Sequence, residues 1–287
     1  MNRIDAHHHF WRLAERRGAW PPPSLAPIHR DFEPADLAPL LAAAGISGTL
    51  LVQSLPTLAD TRWLLDIAQA TPFVKGVVGW VDFKAGDAPA AIDDLARHPL
   101  LKGLRPMLQD LAADDWIADP ATAPAAEAMV RHGLVFDALV TPRHLPHLLT
   151  FAQRHPALAI VIDHAAKPAI ESREIDAWRA AMARLATLPN VHCKLSGMVT
   201  EAGVQATHAG LLPYVQALWD QFGPLRLVWG SDWPVVSLAC DYTHWLAMSH
   251  GFLDALTPRA SAQEAAALFG GNAATLYRLH HHADSPL

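Results

Sequence analysis

Short apolar runs recur along the whole chain, and a stretch rich in alanine and leucine follows most of them. Such runs favour β-strands. Their starts are separated by about 25 to 45 residues, which is the spacing of strand–loop–helix–loop units. The eight predicted strands are 4–9, 49–54, 74–83, 102–108, 133–140, 158–164, 191–197 and 225–233.

Helical patterns occupy most of the segments between these runs. The predicted helices are 36–44, 61–70 with Thr61 as its N-cap, 88–98, 142–155, 174–187, 211–222 and 262–279. Strands that alternate with helices predict a parallel sheet with right-handed crossovers. Eight such units fit an α/β fold of the (β/α)₈ TIM-barrel type, so we expect residues 1–287 to form a single domain. An open doubly wound sheet is the alternative, but no Gly-x-Gly-x-x-Gly follows the first strand.

The first connection, about 10–47, is the longest. It carries Trp11, Trp20 and three consecutive prolines before its helix. A long loop that contains aromatic residues and is stiffened by proline suits a lid over the barrel mouth. It equally suits a structural plug, and the sequence leaves both open.

Composition excludes several classes of protein. Apolar residues make up 51% of the chain, enough for a large core, and 22 Lys and Arg face 28 Asp and Glu. The chain has no basic run and no apolar stretch of membrane-spanning length, so we expect neither a nucleic-acid nor a membrane partner. The two isolated cysteines, Cys193 and Cys240, indicate a reducing cytoplasm. The oligomeric state stays unknown.

Polar residues gather where the predicted strands end, which is where barrel enzymes carry their active sites. Alternation along a strand places His7 and His9 on one face, where two imidazoles can hold a metal or grip a carbonyl; a surface histidine cluster is the alternative. The polar residues at the other strand ends are Gln53, Trp80, Asp82, Arg105, Asp137, Asp163, His164, Lys194 and Asp232. Charges in apolar strands need partners, so Asp163 and Lys194 also suit an ion pair inside the barrel.

Four motifs occur in order along the chain: IDAHHHFW from Ile4, VIDH from Val161, CKLSG from Cys193 and GSDWP from Gly230. This ordered set resembles the amidohydrolase superfamily, and more narrowly its amidohydrolase-2 branch of sugar-lactone hydrolases and 2-pyrone-4,6-dicarboxylate lactonases. The resemblance extends from residue 3 to about 277. It implies a (β/α)₈ barrel whose site residues are His7, His9, His164 and Asp232.

The sequence departs from the binuclear pattern of that superfamily in two places. The fifth predicted strand has no histidine, and the fourth has no lysine near its end. A two-metal site bridged by a modified lysine is therefore not expected. The resemblance supports at most one divalent metal, for instance zinc, and some relatives in this branch work without any.

Hydrolysis of a ring ester requires a polarised carbonyl, an activated water and relief of charge on the leaving alkoxide. We expect Asp232 to be the general base and His164 to be catalytic with it. His7, His9 and Asp232 are the expected ligands of a zinc ion that would activate water. Alternatively, the histidines stabilise the oxyanion directly and no metal is needed.

Five residues are predicted to contact substrate: Gln53, Trp80, Arg105, Lys194 and Trp233. Arg105 is also a candidate catalytic residue because a guanidinium can bind a substrate oxygen, although a buried ion pair is its alternative. Core packing is the alternative for Gln53, Trp80 and Trp233. Lys194 or its strand neighbour His192 could instead donate a proton to the leaving hydroxyl.

The expected substrate is a neutral aldonolactone, such as L-fuconolactone or L-rhamnonolactone, because glutamine, tryptophan and histidine suit a hydroxyl-rich ring. A planar dicarboxylate, as in 2-pyrone-4,6-dicarboxylate lactonases, would require several arginines at the mouth, and only Arg105 lies clearly on a strand. A zinc-dependent decarboxylase of an aromatic or muconate-type acid is a second alternative. The third is a barrel that binds a ligand without catalysis.

Overall fold

The computed structural model describes residues 3–16 and 18–279, and it confirms the predicted (β/α)₈ barrel. All eight predicted strands form, and each pairs in parallel with the next along the chain. They are β1 (Ile4–His8), β2 (Gly48–Val52), β3 (Val74–Gly79), β4 (Leu101–Leu104), β5 (Val135–Ala138), β6 (Ile160–Ile162), β7 (Val191–Leu195) and β8 (Leu227–Trp229).

The barrel closes between its first and last strands. A parallel bridge joins His8 to Trp233, and the His9 N–H donates to the Trp233 carbonyl at 2.8 Å. The register between β1 and β2 shifts after Asp5, which marks a bulge. Because of this shift, Asp5 faces outward and accepts a hydrogen bond from the Tyr242 hydroxyl, while His7 faces the barrel interior.

The helices cover the outside of the barrel and bury the main apolar core against the strands. They are α1 (Pro34–Ala44), α2 (Leu58–Ala70), α3 (Ala88–Leu95), α4 (Ala123–His132), α5 (Leu145–Arg154), α6 (Asp176–Ala186), α7 (His208–Phe222), α8 (Tyr242–Ala255), α9 (Ala262–Ala266) and α10 (Asn272–Leu276). Neither α4 nor α8 is predicted by the sequence pattern. The N-cap of α2 is Thr57 and not Thr61, since the Thr57 hydroxyl accepts from the Asp60 N–H.

The inside of the barrel is layered. Its lower end is apolar and contains Ile4, Val135, Val161 and Val228, with α10 packed beneath them. The side chains above this layer are charged, and they belong to the candidate site. The fold therefore separates a stabilising lower layer from a polar upper layer.

The first loop contributes residues both to the core and to the cavity lining. Trp11, Ile28 and Phe32 are fully buried and pack against the barrel, as a plug would. Trp20 and Leu25 instead line the cavity above the strands. Within residues 3–16 and 18–279, no helix has both the length and the apolar character needed to cross a membrane.

Candidate active site

The two histidines of the first strand meet at the upper end of the barrel. Their Nε2 atoms lie 3.2 Å apart, and both rings are buried. The His9 Nδ1 faces the Val52 carbonyl at 2.7 Å, so it must carry the hydrogen and leave a lone pair on Nε2. Burial lowers the pKa of both imidazoles well below its ordinary value, which keeps the rings neutral.

Asp232 completes this group from the segment after β8. Its Oδ1 lies 3.4 Å from His9 Nε2, 3.7 Å from His7 Nε2 and 3.9 Å from His164 Nε2. Its backbone is left-handed, with φ of 58°, and its N–H donates to the His7 carbonyl at 2.8 Å. Burial raises the pKa of this carboxyl, and the cations Lys167 and Arg105 oppose the increase only in part. A raised pKa suits a carboxylate that accepts a proton.

His164 begins a turn of unusual backbone. Four consecutive non-glycine residues, His164 to Lys167, have φ between 49° and 60°, a conformation that costs roughly 1–2 kcal/mol per residue. The Trp178 indole donates to the Ala165 carbonyl at 2.7 Å, and His164 Nδ1 lies 3.0 Å from Ser196 Oγ. Burial lowers the pKa of His164 to about 4, so its ring is neutral at physiological pH.

A side chain at position 197 would collide with this histidine. A Cβ built on Gly197, whose φ is 59°, would lie 2.4 Å from His164 Nδ1. The glycine of the Cys193–Gly197 motif is therefore required for both its backbone conformation and its close approach.

A network of buried charged side chains lies below the histidines and contacts them. Lys194 contacts Asp137, Asp163 Oδ1 at 3.0 Å and His7 Nδ1 at 3.2 Å. Burial raises the pKa of Asp137 to about 6 and would raise that of Asp163, but Lys194, His7 and Arg105 hold the Asp163 pKa well below its usual value. Lys194 therefore has the buried ion pair that the sequence left as an alternative.

Arg105 contacts this network of charged side chains and also lines the cavity. Its Nη1 lies 3.3 Å from both Asp163 Oδ2 and His7 Nε2, and its Nη2 donates to the Gln53 carbonyl. Its Nε has no hydrogen-bond partner within residues 3–16 and 18–279. Arg105 is thus paired with an acid, as one of its two alternatives expected, and its Nε is a buried donor without a partner in this part of the chain.

The histidine–aspartate group fits a single metal ion. Two imidazole nitrogens 3.2 Å apart need a shared hydrogen or a shared cation between them. In tetrahedral zinc sites with bonds of about 2.0–2.1 Å, ligand atoms lie about 3.3 Å apart, close to the spacing of His7, His9 and Asp232. A second group, His7, Asp163 and His164, also has suitable spacing, but Lys194 and Arg105 occupy the Asp163 carboxylate.

Above these groups lies a cavity of about 450 Å³. Its floor is formed by His9, Arg105, His164 and Asp232, with His7 directly below them. Its wall comes from loops and consists of Trp20, Leu25, Ser54, Met107, Gln109, Asp110, Leu139, Lys167, Thr200, Glu201, Val235 and Leu238. The site is therefore a floor of strand ends surrounded by a wall of loop residues.

Four residues predicted to contact substrate lie outside this cavity lining: Gln53, Trp80, Lys194 and Trp233. Gln53 is buried and donates to the Arg105 carbonyl at 2.7 Å, while Trp233 packs edge-on against Phe32. The backbone of Trp80 is held by Thr61, and its ring is half-buried. These positions favour supporting roles over substrate contact.

Sequence reasoning missed most of the wall. Lys167 and Glu201 lie beyond the ends of the predicted strands, in loops that have no periodic pattern, and Met107 lies beyond the observed end of β4. The available signals were Trp20, because an aromatic residue in a long loop after the first strand suits a barrel mouth, and the polar Ser54 and Gln109 near the ends of the second and fourth predicted strands.

Comparison with known proteins places the chain among its relatives. The model of the amidohydrolase family Amidohydro_2 matches residues 4–279. The chain belongs to this family. An L-fucono-1,5-lactonase of Burkholderia ambifaria is 58% identical in an alignment of 281 positions that covers 96% of each chain. A second L-fucono-1,5-lactonase, from Burkholderia multivorans, is 37% identical over 99% of each chain.

A solved structure supports the same assignment. An amidohydrolase from Burkholderia multivorans with bound zinc matches with a TM-score of 0.89 and 36% identity, covering 98% of this chain and 100% of that one. The resemblance inferred from the four motifs is thereby confirmed. In the present chain, β5 carries no histidine, and the lysine of β4 is Lys102 near the lower end of the strand. The metal-binding side chains of the site therefore support one metal at most.

Proposed function

We propose that the protein hydrolyses a sugar lactone to its aldonic acid, with L-fucono-1,5-lactone as the first candidate substrate. The observation that carries this proposal is the buried Asp232 carboxylate with its raised pKa at the bottom of an open cavity. It lies 3.4 Å from His9 Nε2, and Arg105, whose Nε is a donor without a partner among the described residues, lines the same cavity. The 58% identity to a lactonase of that name supports the choice of substrate.

In the proposed reaction, Asp232 accepts a proton from a water molecule, and the oxygen of that water attacks the lactone carbonyl carbon. Arg105 and the neutral His164 donate hydrogen bonds to the carbonyl oxygen as negative charge develops on it. The bond between the carbonyl carbon and the ring oxygen then breaks, and Asp232 returns its proton to the leaving alkoxide. One water is consumed, and a hydroxy acid is formed.

His7, His9 and Asp232 would hold a zinc ion, which would lower the pKa of its bound water and polarise the carbonyl. His7 can ligate through Nε2 only in the tautomer whose Nδ1–H faces Asp163 Oδ1, 3.6 Å away. In the other tautomer, Nδ1 accepts from Lys194 and Nε2–H donates to His9. The two tautomers therefore differ in which nitrogen of His7 is free to accept, Nε2 in the first and Nδ1 in the second.

The charge of the cavity favours a neutral ring over a dicarboxylate or an aromatic acid. Its two cationic side chains are Arg105, which is paired with Asp163, and Lys167, which is paired with Glu201. Asp110 and Asp232 add two acids to the lining. Two substrate carboxylates would thus find no uncompensated cation, which weighs against the pyrone lactonase and decarboxylase alternatives.

The experiment is hydrolysis of a lactone panel followed with a pH indicator, with and without a chelator. We expect turnover of L-fucono-1,5-lactone and related 1,5-lactones, and none of a pyrone diacid. Turnover of the diacid alone, or release of CO₂ from an aromatic acid, would overturn the proposal. Activity that survives complete metal removal, measured by elemental analysis, would assign carbonyl stabilisation to Arg105 and the histidines.

We also propose a cytoplasmic location. Both cysteines are free in the structure, and Cys193 is fully buried on β7. Free thiols suit a reducing compartment. Extracts fractionated into cytoplasm and periplasm would test it.

A further inference from the structure

We propose that Lys167 and Glu201 form a single recognition unit for the ring hydroxyls of the substrate, so that this ion pair selects polyhydroxylated lactones. The inference rests on the proposed lactone hydrolysis and adds to it the residues that would distinguish a sugar ring from a plain one. Neither residue lies on a strand, and neither belongs to the floor.

The backbone that places Lys167 at the cavity has an unfavourable conformation. Lys167 is the last of the four left-handed residues that begin at His164, and its N–H donates to the His164 carbonyl at 2.8 Å. One tight turn therefore presents both His164 and Lys167 to the same cavity. Strained backbone persists where the surrounding structure holds it in place, and it is concentrated at functional sites. The Trp178 indole supplies that support through the Ala165 carbonyl.

Either partner of the ion pair can exchange its contact with the other for a contact with a ligand. Lys167 Nζ lies 3.3 Å from Glu201 Oε1, and both side chains line the cavity while remaining 25% and 29% exposed. An ion pair in contact with water is weak. Either partner can therefore turn toward a ligand without leaving a buried charge behind.

The chemistry of the pair matches a diol. A hydroxyl group both donates and accepts hydrogen bonds, an ammonium group only donates, and a carboxylate only accepts. The pair offers one strong donor and one strong acceptor side by side, and charge-assisted bonds are stronger than neutral ones. Because the charges of the pair sum to zero, it favours an uncharged ring and offers no net attraction to a substrate carboxylate.

Arg105 cannot provide this recognition, although it is the other cation of the lining. Arg105 is 2% exposed, and its guanidinium contacts Asp163, His7 and the Gln53 carbonyl. Within residues 3–16 and 18–279, Lys167 is thus the cation of this cavity that is free to follow a ligand.

The test compares Lys167→Met and Glu201→Gln on L-fucono-1,5-lactone and on δ-valerolactone, a six-membered lactone without hydroxyls. We expect kcat/KM for the sugar lactone to fall about 30- to 100-fold in each variant, and by at least tenfold more than kcat/KM for δ-valerolactone. Lys84→Met is the matched control, since Lys84 pairs with Asp119 at 2.6 Å with similar exposure outside the cavity. That variant should retain wild-type kinetics.

Binding is measured separately in an Asp232→Asn background, which retains intact lactone. Adding Lys167→Met should weaken the Kd for the sugar lactone at least tenfold, while thermal melting shows that the protein stays folded. Equal losses on both lactones, or an unchanged Kd, would overturn the proposal. Absence of any lactone hydrolysis by the wild-type protein would instead refute the proposed function.

Discussion

The floor and the wall of the cavity differ in how deeply their residues are buried and in how many contacts those residues make. Floor residues are almost fully buried, and each has several partners: Arg105 contacts His7, Asp163 and Gln53. Most wall residues keep contact with water and have few partners, as Trp20 does at 36% exposure and Lys167 does in its single ion pair. The rigid floor can supply chemistry, and the adaptable wall can supply selection among substrates.

This contrast predicts that the largest loss of activity comes from the floor. Asp232→Asn keeps the shape of the side chain but removes the proton acceptor, so we expect kcat to fall by about 10³-fold. The measurement is hydrolysis of L-fucono-1,5-lactone at saturating substrate. Asp82→Asn, in an exposed position after β3, is the control and should behave as wild type. A loss smaller than tenfold would assign the base to another group.

The floor also rests on charged residues beneath it that lie outside the cavity lining. Lys194→Met would leave Asp137 and Asp163 buried without their shared cation, so we expect the free energy of unfolding to fall by about 3 kcal/mol. Urea denaturation measures this change. Lys84→Met removes a surface ion pair and should cost at most about 1 kcal/mol.

If the double variant with Lys194→Met and Asp137→Asn regains part of the lost free energy of unfolding, the loss in Lys194→Met arises from the buried charge of Asp137. A loss below about 1 kcal/mol in the single variant would contradict the account, since breaking a buried pair typically costs more. It would then follow that water or a proton compensates the two aspartates in the interior.

Floor and wall also differ in how much the sequence reveals. Buried parallel strands are continuous apolar runs, so all eight strands could be predicted together with the histidines and Asp232 at their ends. The bulge that turns Asp5 outward and His7 inward could not, because it depends on the pairing with β2 and on the Tyr242 hydroxyl. Sequence alternation was sufficient for His7 and His9, but it did not show what supports them.

The wall was largely beyond prediction for a physical reason. Non-glycine residues rarely adopt positive φ, so the local sequence does not predict four left-handed residues from His164 to Lys167. Contacts from Trp178 and Gly197, which are distant in sequence, maintain that turn. Helix α4 was missed although Pro124 near its start is a common opening signal for a helix.

The smallest expected effect belongs to the aromatic part of the wall. Trp20 lines the cavity and packs edge-on against the buried Trp11, with ring centroids 5.1 Å apart. An indole that covers one face of a ring contributes to binding more than to bond breaking, so Trp20→Ala should raise KM about fivefold to tenfold and change kcat little. Trp20→Phe retains an aromatic face and should recover most of the loss. A large fall in kcat with unchanged KM would mean that the first loop organises the floor, and the separation between the two regions would then fail.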